Sequence, residues 1–186
     1  MSILEPSTKG KLLLATPPLE DPNFDRTVIL VLEHNEGGAV GVVLNRPTME
    51  VDLDGLDDWV EIVSPPVVVF SGGPVAHEAL IAVGRADVRT EEAWSVISGD
   101  IGTVDLSVSP TDAAPLVTGL RIFRGYSGWG PHQLDGELAA GAWMVFSAET
   151  DDPFTTDPTA LWRSVLRRQG GRTAWIADAP DDLSAN

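Results

Sequence analysis

The sequence contains no cysteine, which removes disulfides, thiolate nucleophiles and cysteine-ligated metals from consideration. It is also short of basic residues. Only 12 Lys and Arg stand against 28 Asp and Glu, for a formal net charge of −16. Phosphate contacts supply most non-specific affinity for nucleic acid, and this chain offers few cations to make them. The deficit is steepest over residues 51–115, where twelve acids face only Arg85 and Arg89. Cations concentrate in one place, at Arg163, Arg167, Arg168 and Arg172. Long apolar runs are missing too. No stretch approaches the roughly 20 apolar residues that span a bilayer, and residues 12–15, after Lys9 and Lys11, are too few for a secretory signal core. A cytoplasmic location is therefore expected, with no membrane partner and no direct nucleic-acid partner. With three histidines, scattered at 34, 77 and 132, no metal site and no cofactor are expected.

What is present is a core. Hydrophobic residues make up 43% of 186 residues, which suits one domain, taken here as residues 1–177 with a frayed polar tail over 178–186. Residues 12–16 read as a short strand stopped by Pro17-Pro18. Residues 26–34 and 39–45 are two strands rich in β-branched residues, and the connection Asn35-Glu36-Gly37-Gly38 makes them an antiparallel hairpin. Both are continuously apolar, whereas a sheet with one wet face would alternate. Such a hairpin needs cover on both faces, which a sheet folding back on itself provides.

Further along, a short helix is expected near residues 56–62, a buried strand at 67–70, weaker strands at 79–84 and 94–98, and loose alternation over 103–108. Ser109-Pro110 opens a helix to about Thr118. Residues 120–126 return as a strand, ended by a glycine-dense loop from Gly125 to Pro131. Pro131 opens a helix carrying Leu134 and Leu138 and closed by Gly141; residues 142–147 are a strand. Asp157-Pro158 starts the last helix, with Leu161, Trp162, Val165 and Leu166 on one face and Gly170-Gly171 at its end.

Polar clusters at strand ends are the places where chemistry commonly assembles. Glu33 and His34 stand at the tip of one strand, as a general acid/base pair or as the cap of a hairpin. Asn45-Arg46-Pro47 follows the partner strand, where Arg clamps an anion or the group simply turns the chain. Ser71-Gly72-Gly73-Pro74 offers bare amides to an anion but lacks the Lys-Ser/Thr of a phosphate loop. In the segment from Gly125 to Glu137, Trp129 stands where a nucleophile elbow needs glycine, so that motif fails. Within this segment Tyr126 and Trp129 suit a hydrophobic corner or a stacked ligand. Gln133 and Glu137, four apart, are placed to reach back to the loop, and His132 and Asp135 share a helix face.

These stretches together resemble the YqgE/AlgH family of bacterial proteins. The resemblance rests on Gly10-Lys11-Leu12-Leu13-Leu14-Ala15, Asp21-Pro22-Asn23-Phe24-Asp25-Arg26, Glu33-His34-Asn35 with Gly38-Ala39-Val40-Gly41, and Leu44-Asn45-Arg46-Pro47. It continues through Gly72-Gly73-Pro74-Val75, Gly125-Tyr126-Ser127-Gly128-Trp129 and Gln133-Leu134-Asp135-Gly136-Glu137, covering roughly residues 9–170 in order. It implies an α+β domain whose bifurcated sheet, antiparallel or mixed, curls into a pseudo-barrel with helices packed outside. One branch of the family carries a transcriptional-regulator label linked to alginate production, yet no helix-turn-helix pattern is present here. His132 departs from the family, which often has glycine there. Three functional readings follow. The first is a non-catalytic regulatory or binding protein with a protein or small-molecule partner, with Glu33, His34, Asn45, Arg46, Gly72, Gly73, Tyr126, Trp129, Gln133 and Glu137 as candidate binding residues. The second is a hydrolytic enzyme built on a strand-end Glu/His/Asn/Arg cluster. The third is a transcriptional regulator.

Overall fold

Residues 6–17, 21–50, 55–87, 93–113 and 117–178 are described by the structure, a computed structural model. Among them the strands are β1 (Lys11–Ala15), β2 (Val28–Asn35), β3 (Gly38–Val43), β4 (Phe70–Ser71), β5 (Val75–Ala86), β6 (Trp94–Ser98), β7 (Ile101–Val104), β8 (Val117–Trp129) and β9 (Trp143–Ser147). They form one mixed sheet in the order β6-β7-β5-β8-β3-β2-β1-β9. Neighbours along that path are antiparallel, and β4 pairs parallel to β8 off the path. The helices are α1 (Pro110–Ala113), α2 (Gln133–Ala139), α3 (Leu161–Gln169) and α4 (Gly171–Ile176).

The long strand β8 explains the bifurcation. One edge carries β5; the other carries β4 at Phe123 and Arg124 and then β3 from Ser127 to Trp129. The hairpin of β2 and β3 is covered on both faces, as its unbroken apolar sequence requires. Leu12, Leu14, Val28, Leu30, Val42 and Leu44 share a core with Val83, Ile97, Ile101 and Phe123 from the other half of the curled sheet and with Trp162, Val165 and Leu166 of α3. Leu13, Ala15, Ile29, Val31 and Val43 turn the other way, onto Trp129, Trp143 and Leu134 of α2. Each buried Leu, Ile or Val side chain contributes about 1.5–3 kcal/mol, so burial on both faces stabilises this ribbon strongly.

Several expectations change for identifiable reasons. Asn35 pairs with Gly38, so the hairpin turn is only Glu36-Gly37. The strand expected at 67–70 shrinks to Phe70–Ser71, because the carbonyls of Ser64, Pro65 and Pro66 turn to Arg121. β8 runs straight through the glycines expected to end it. Gly72 crosses Gly125 at backbone contact, and a Cβ on Gly125 would meet the carbonyls of Gly73 at 2.7 Å and Val75 at 2.9 Å. The helix opened by Pro110 is α1, and it cannot reach Thr118 because β8 has begun at Val117. The expected helix at 56–62 is a 3-10 turn, Asp57–Ile62. Gly170-Gly171 does not end the helical region, since α4 follows at once. Most of the tail expected to fray, residues 179–186, lies outside the described residues.

Candidate functional site

The antiparallel register sorts the candidate residues into two groups. His34 pairs with Ala39, which pairs on its other side with Trp129, so His34, Trp129 and the start of α2 sit at one end of the ladder. Asn45 sits at the other end, bound to Val28. Six residues of extended chain, about 20 Å, separate Val28 from His34. Gly72 and Gly73 fall with Asn45 and Arg46. The Glu/His/Asn/Arg cluster therefore does not converge.

At the Asn45 end, Oδ1 accepts the Val28 N–H and Nδ2 donates to the Arg26 carbonyl, both at 2.9 Å. The side chain acts as a turn latch. Arg46 donates to the carbonyls of Asn23, Pro22 and Asp25, and burial lowers its pKa against the opposing pull of Asp25 and Asp21. It borders a cleft of about 110 Å³ with Ser71, Gly73 and His77. Gly72 is no anion cradle. Its N–H donates to the Arg124 carbonyl, and its own carbonyl accepts from Val43 N–H and Ser127 Oγ.

At the His34 end, Glu137 Oε2 accepts both indole N–H groups, Trp129 at 2.9 Å and Trp143 at 2.7 Å. Its Oε1 accepts Gln133 Nε2 at 3.1 Å, and Gln133 Oε1 accepts the Gly130 N–H. This chain of bonds clamps α2 onto β8 and β9. Trp129 is nearly buried and meets Trp143 edge-on at 6.0 Å. Tyr126 is partly buried, its ring over Gly128.

His34 has an almost fully buried ring. Its Nδ1 receives the Thr8 N–H at 3.2 Å and lies 3.0 Å from Thr8 Oγ1. An Nδ1 that accepts leaves the proton of the neutral ring on Nε2, which faces Asp135 Oδ1 at 3.3 Å. His132, exposed at the N-terminus of α2, places Nδ1 3.7 Å from Asp135 Oδ2. Its φ of 60° is left-handed, a conformation that penalises a side chain by about 1 kcal/mol or more. His34, Asn35, Glu36, His132 and Asp135, with Pro6 and Ser7, line a cleft of about 410 Å³. A larger depression of about 520 Å³ at Leu56, Leu80 and Leu106 has Asp105 as its titratable lining residue, with that carboxylate turned onto Ser107. Of these two, the cleft at His34 has the more ionisable groups in its walls.

Glu33 is held from outside the cleft. Lys9 Nζ reaches its Oε2 at 2.7 Å and the His34 N–H its Oε1, and these bonds, Lys9 first, lower its pKa below 4.5. The stabilisation is therefore complete above pH 4.5 and disappears as pH falls through the lower folded-state value. Both side chains are substantially exposed, so screening keeps the effect small. Lys9→Ala is expected to lose no more than about 1 kcal/mol in urea unfolding at pH 7, and the difference from wild type is expected to shrink as pH falls below 4.5.

Sequence reasoning missed Ser7, Thr8, Lys9 and Arg121. The first three reach their partners only through the sheet. Arg121 had a signal: it stands inside the apolar run from Leu120 to Phe123, which is buried on both faces.

The chain is similar to known proteins over nearly its whole length. The AlgH-like family model (DUF179) matches residues 12–174. A UPF0301 protein of Streptomyces coelicolor is 50% identical, with 97% of this chain and 96% of that one covered. A UPF0301 protein of Thermobifida fusca is 42% identical over the same shares. The crystal structure of a Corynebacterium diphtheriae protein superposes with a TM-score of 0.87 at 30% identity, covering 95% of this chain and 94% of that one. The solution structure of AlgH from Pseudomonas aeruginosa does so with a TM-score of 0.69 at 27% identity, covering 97% and 98%.

Proposed function

The chain belongs to the AlgH-like family, and from that premise we propose that it is a non-catalytic binding or regulatory protein whose recognition surface is the cleft between the Glu36-Gly37 turn and α2. One observation carries this reading: the candidate acid/base groups are already engaged within the protein. Glu33 holds Lys9, His34 holds Thr8 on one nitrogen and faces Asp135 with the other, and Glu137 holds two indoles and an amide. General acid/base catalysis needs a lone pair or a proton within reach of substrate. Recognition needs only a shaped surface with fixed polar groups, which rigid internal bonding provides.

The partner is a protein or a small molecule. Charge supports this over DNA, since two of the four arginines in the basic concentration are already paired with acids. Arg168 grips the buried Asp152 with two bonds of 2.7 Å, and Arg167 pairs with Asp178 at 2.7 Å. A regulatory role then acts through the bound partner.

Incubation with a panel of esters, amides and phosphate esters tests the non-catalytic claim. Turnover is expected to match the buffer blank in wild type and in His34→Gln alike. Turnover above blank that is lost in a folded His34→Gln variant would overturn it.

A further inference from the structure

We propose that the cleft beside Arg46 is a second binding site, one that takes a compact oxyanion, a carboxylate or phosphate group. It lies at the Asn45 end of the ladder, away from the His34 cleft, so its failure leaves the reading above untouched. Arg46 uses Nη1 and Nη2 on the main-chain carbonyls of Asn23, Pro22 and Asp25. Its Nε–H is left over, whereas Arg121 commits all three guanidinium nitrogens to carbonyls. Asp21 and Asp25 act on Arg46 only from a distance, and no ion pair among the described residues includes it. Three neighbours on the cleft wall carry uncommitted donors as well. The Ser71 hydroxyl, the Gly73 N–H and the His77 ring make no hydrogen bond among the described residues. Neither Arg46 Nε nor Ser71 Oγ belongs to the buried atoms that lack a partner, so both are open to solvent. His77 is exposed and keeps at least one ring N–H in either protonation state.

Four donors around one cleft call for an acceptor. A guanidinium matches carboxylate and phosphate oxygens, and bonds assisted by charge are roughly twice as strong as neutral ones. The wall has no Asp or Glu to compete, since Asn23, Val43 and Pro74 complete it. A cation would meet Arg46, and a neutral amide would gain only the weaker bonds. The volume of about 110 Å³ is well below the roughly 300–1,000 Å³ of sites that enclose whole small molecules, so the cleft takes one compact group. The backbone of β5 is shaped to the same end. Val75 pairs with Tyr126 and Leu80 with Arg124, so residues 76–79 stand opposite Gly125 alone. Ala76 adopts a left-handed φ of 48° there, at a cost of about 1 kcal/mol or more. This bulge carries His77 out of the ladder and onto the cleft, and bulges re-aim side chains in this way beside functional sites. The net charge of −16 opposes an anion at long range, but at about 0.15 M salt that field decays within about 8 Å.

NMR titration of the full chain with inorganic phosphate, with acetate and, as the neutral counterpart of acetate, with acetamide tests the proposal. Saturable shifts are expected at the amides of Ser71, Gly73 and His77 and at the Arg46 Nε–H with the anions, and not with acetamide. The tighter of phosphate and acetate names the oxyanion. Arg46→Gln is expected to weaken binding at least about tenfold. Lys11→Gln removes the same charge from an exposed position at the His34 end of β1 and is expected to leave affinity unchanged. Equal shifts with acetamide, equal weakening in the two variants, or no saturable shift at these residues would each overturn the proposal. If Arg46→Gln does not fold, His77→Ala at its exposed position decides. A few-fold loss is expected there, and unchanged affinity sinks the site.

Discussion

Replacing Arg121 with methionine is expected to destabilise the protein by about 3–5 kcal/mol in urea unfolding. Arg121 has no exposed surface. Its guanidinium donates to five carbonyls: Pro153 at 3.2 Å from Nε, Ser64 at 2.8 Å and Pro66 at 2.9 Å from Nη1, and Pro65 at 3.0 Å and Thr155 at 2.9 Å from Nη2. A guanidinium has five N–H donors, so its capacity is filled. The cation also lies 4.3 Å from the Phe70 ring. Burial pushes its pKa down to about 10, which leaves it charged at neutral pH. Here carbonyl dipoles compensate the buried charge, and in return the cation fixes two irregular segments, 64–66 and 153–155, against β8. Methionine fills similar volume but strands those carbonyls, at about 1–3 kcal/mol each where water cannot reach. Lysine is expected to recover less than half of the loss, having three donors and no planar fork. An unfolding midpoint for Arg121→Met within error of wild type would show that these segments are held by packing alone.

Glu137→Ala is expected to lower stability by about 2–4 kcal/mol, with a change in tryptophan emission. One carboxylate oxygen holds the N–H of both Trp129 and Trp143, whose rings are nearly buried. Alanine leaves two desolvated donors and frees Gln133, loosening α2 from the sheet that it covers. Glu137→Gln keeps an oxygen in place and is expected to lose about half as much. The indole N–H resonances of the two tryptophans report directly: both are expected to move in Glu137→Ala, and unmoved resonances would dissociate the carboxylate from the indoles. Because the same helix carries His132 and Asp135, this clamp also holds the cleft in shape.

Much of the fold was legible in local pattern. The paired runs at residues 26–34 and 39–45 identified a doubly covered hairpin, because burial on both faces writes itself as missing alternation. Leu161, Trp162, Val165 and Leu166 showed the buried face of α3 through helical spacing. The glycines misled. Gly125 and Gly128 read as a loop, yet both lie inside β8, and Gly125 lets that strand pass close to Gly72 and Gly73; a close backbone crossing leaves no signal in either segment alone.

By itself, then, the sequence determined the family, the ribbon at the centre of the sheet, the acidic surface and the exclusion of thiol chemistry, since each follows from residue identity and short-range spacing. Tertiary structure alone decided which polar groups meet. The register of β2 on β3 placed His34 and Asn45 at opposite ends of a ladder, and the curl of the sheet brought Thr8 and Asp135 onto His34. Those contacts join residues 26 and 101 positions apart, and no local propensity encodes a meeting at such separations.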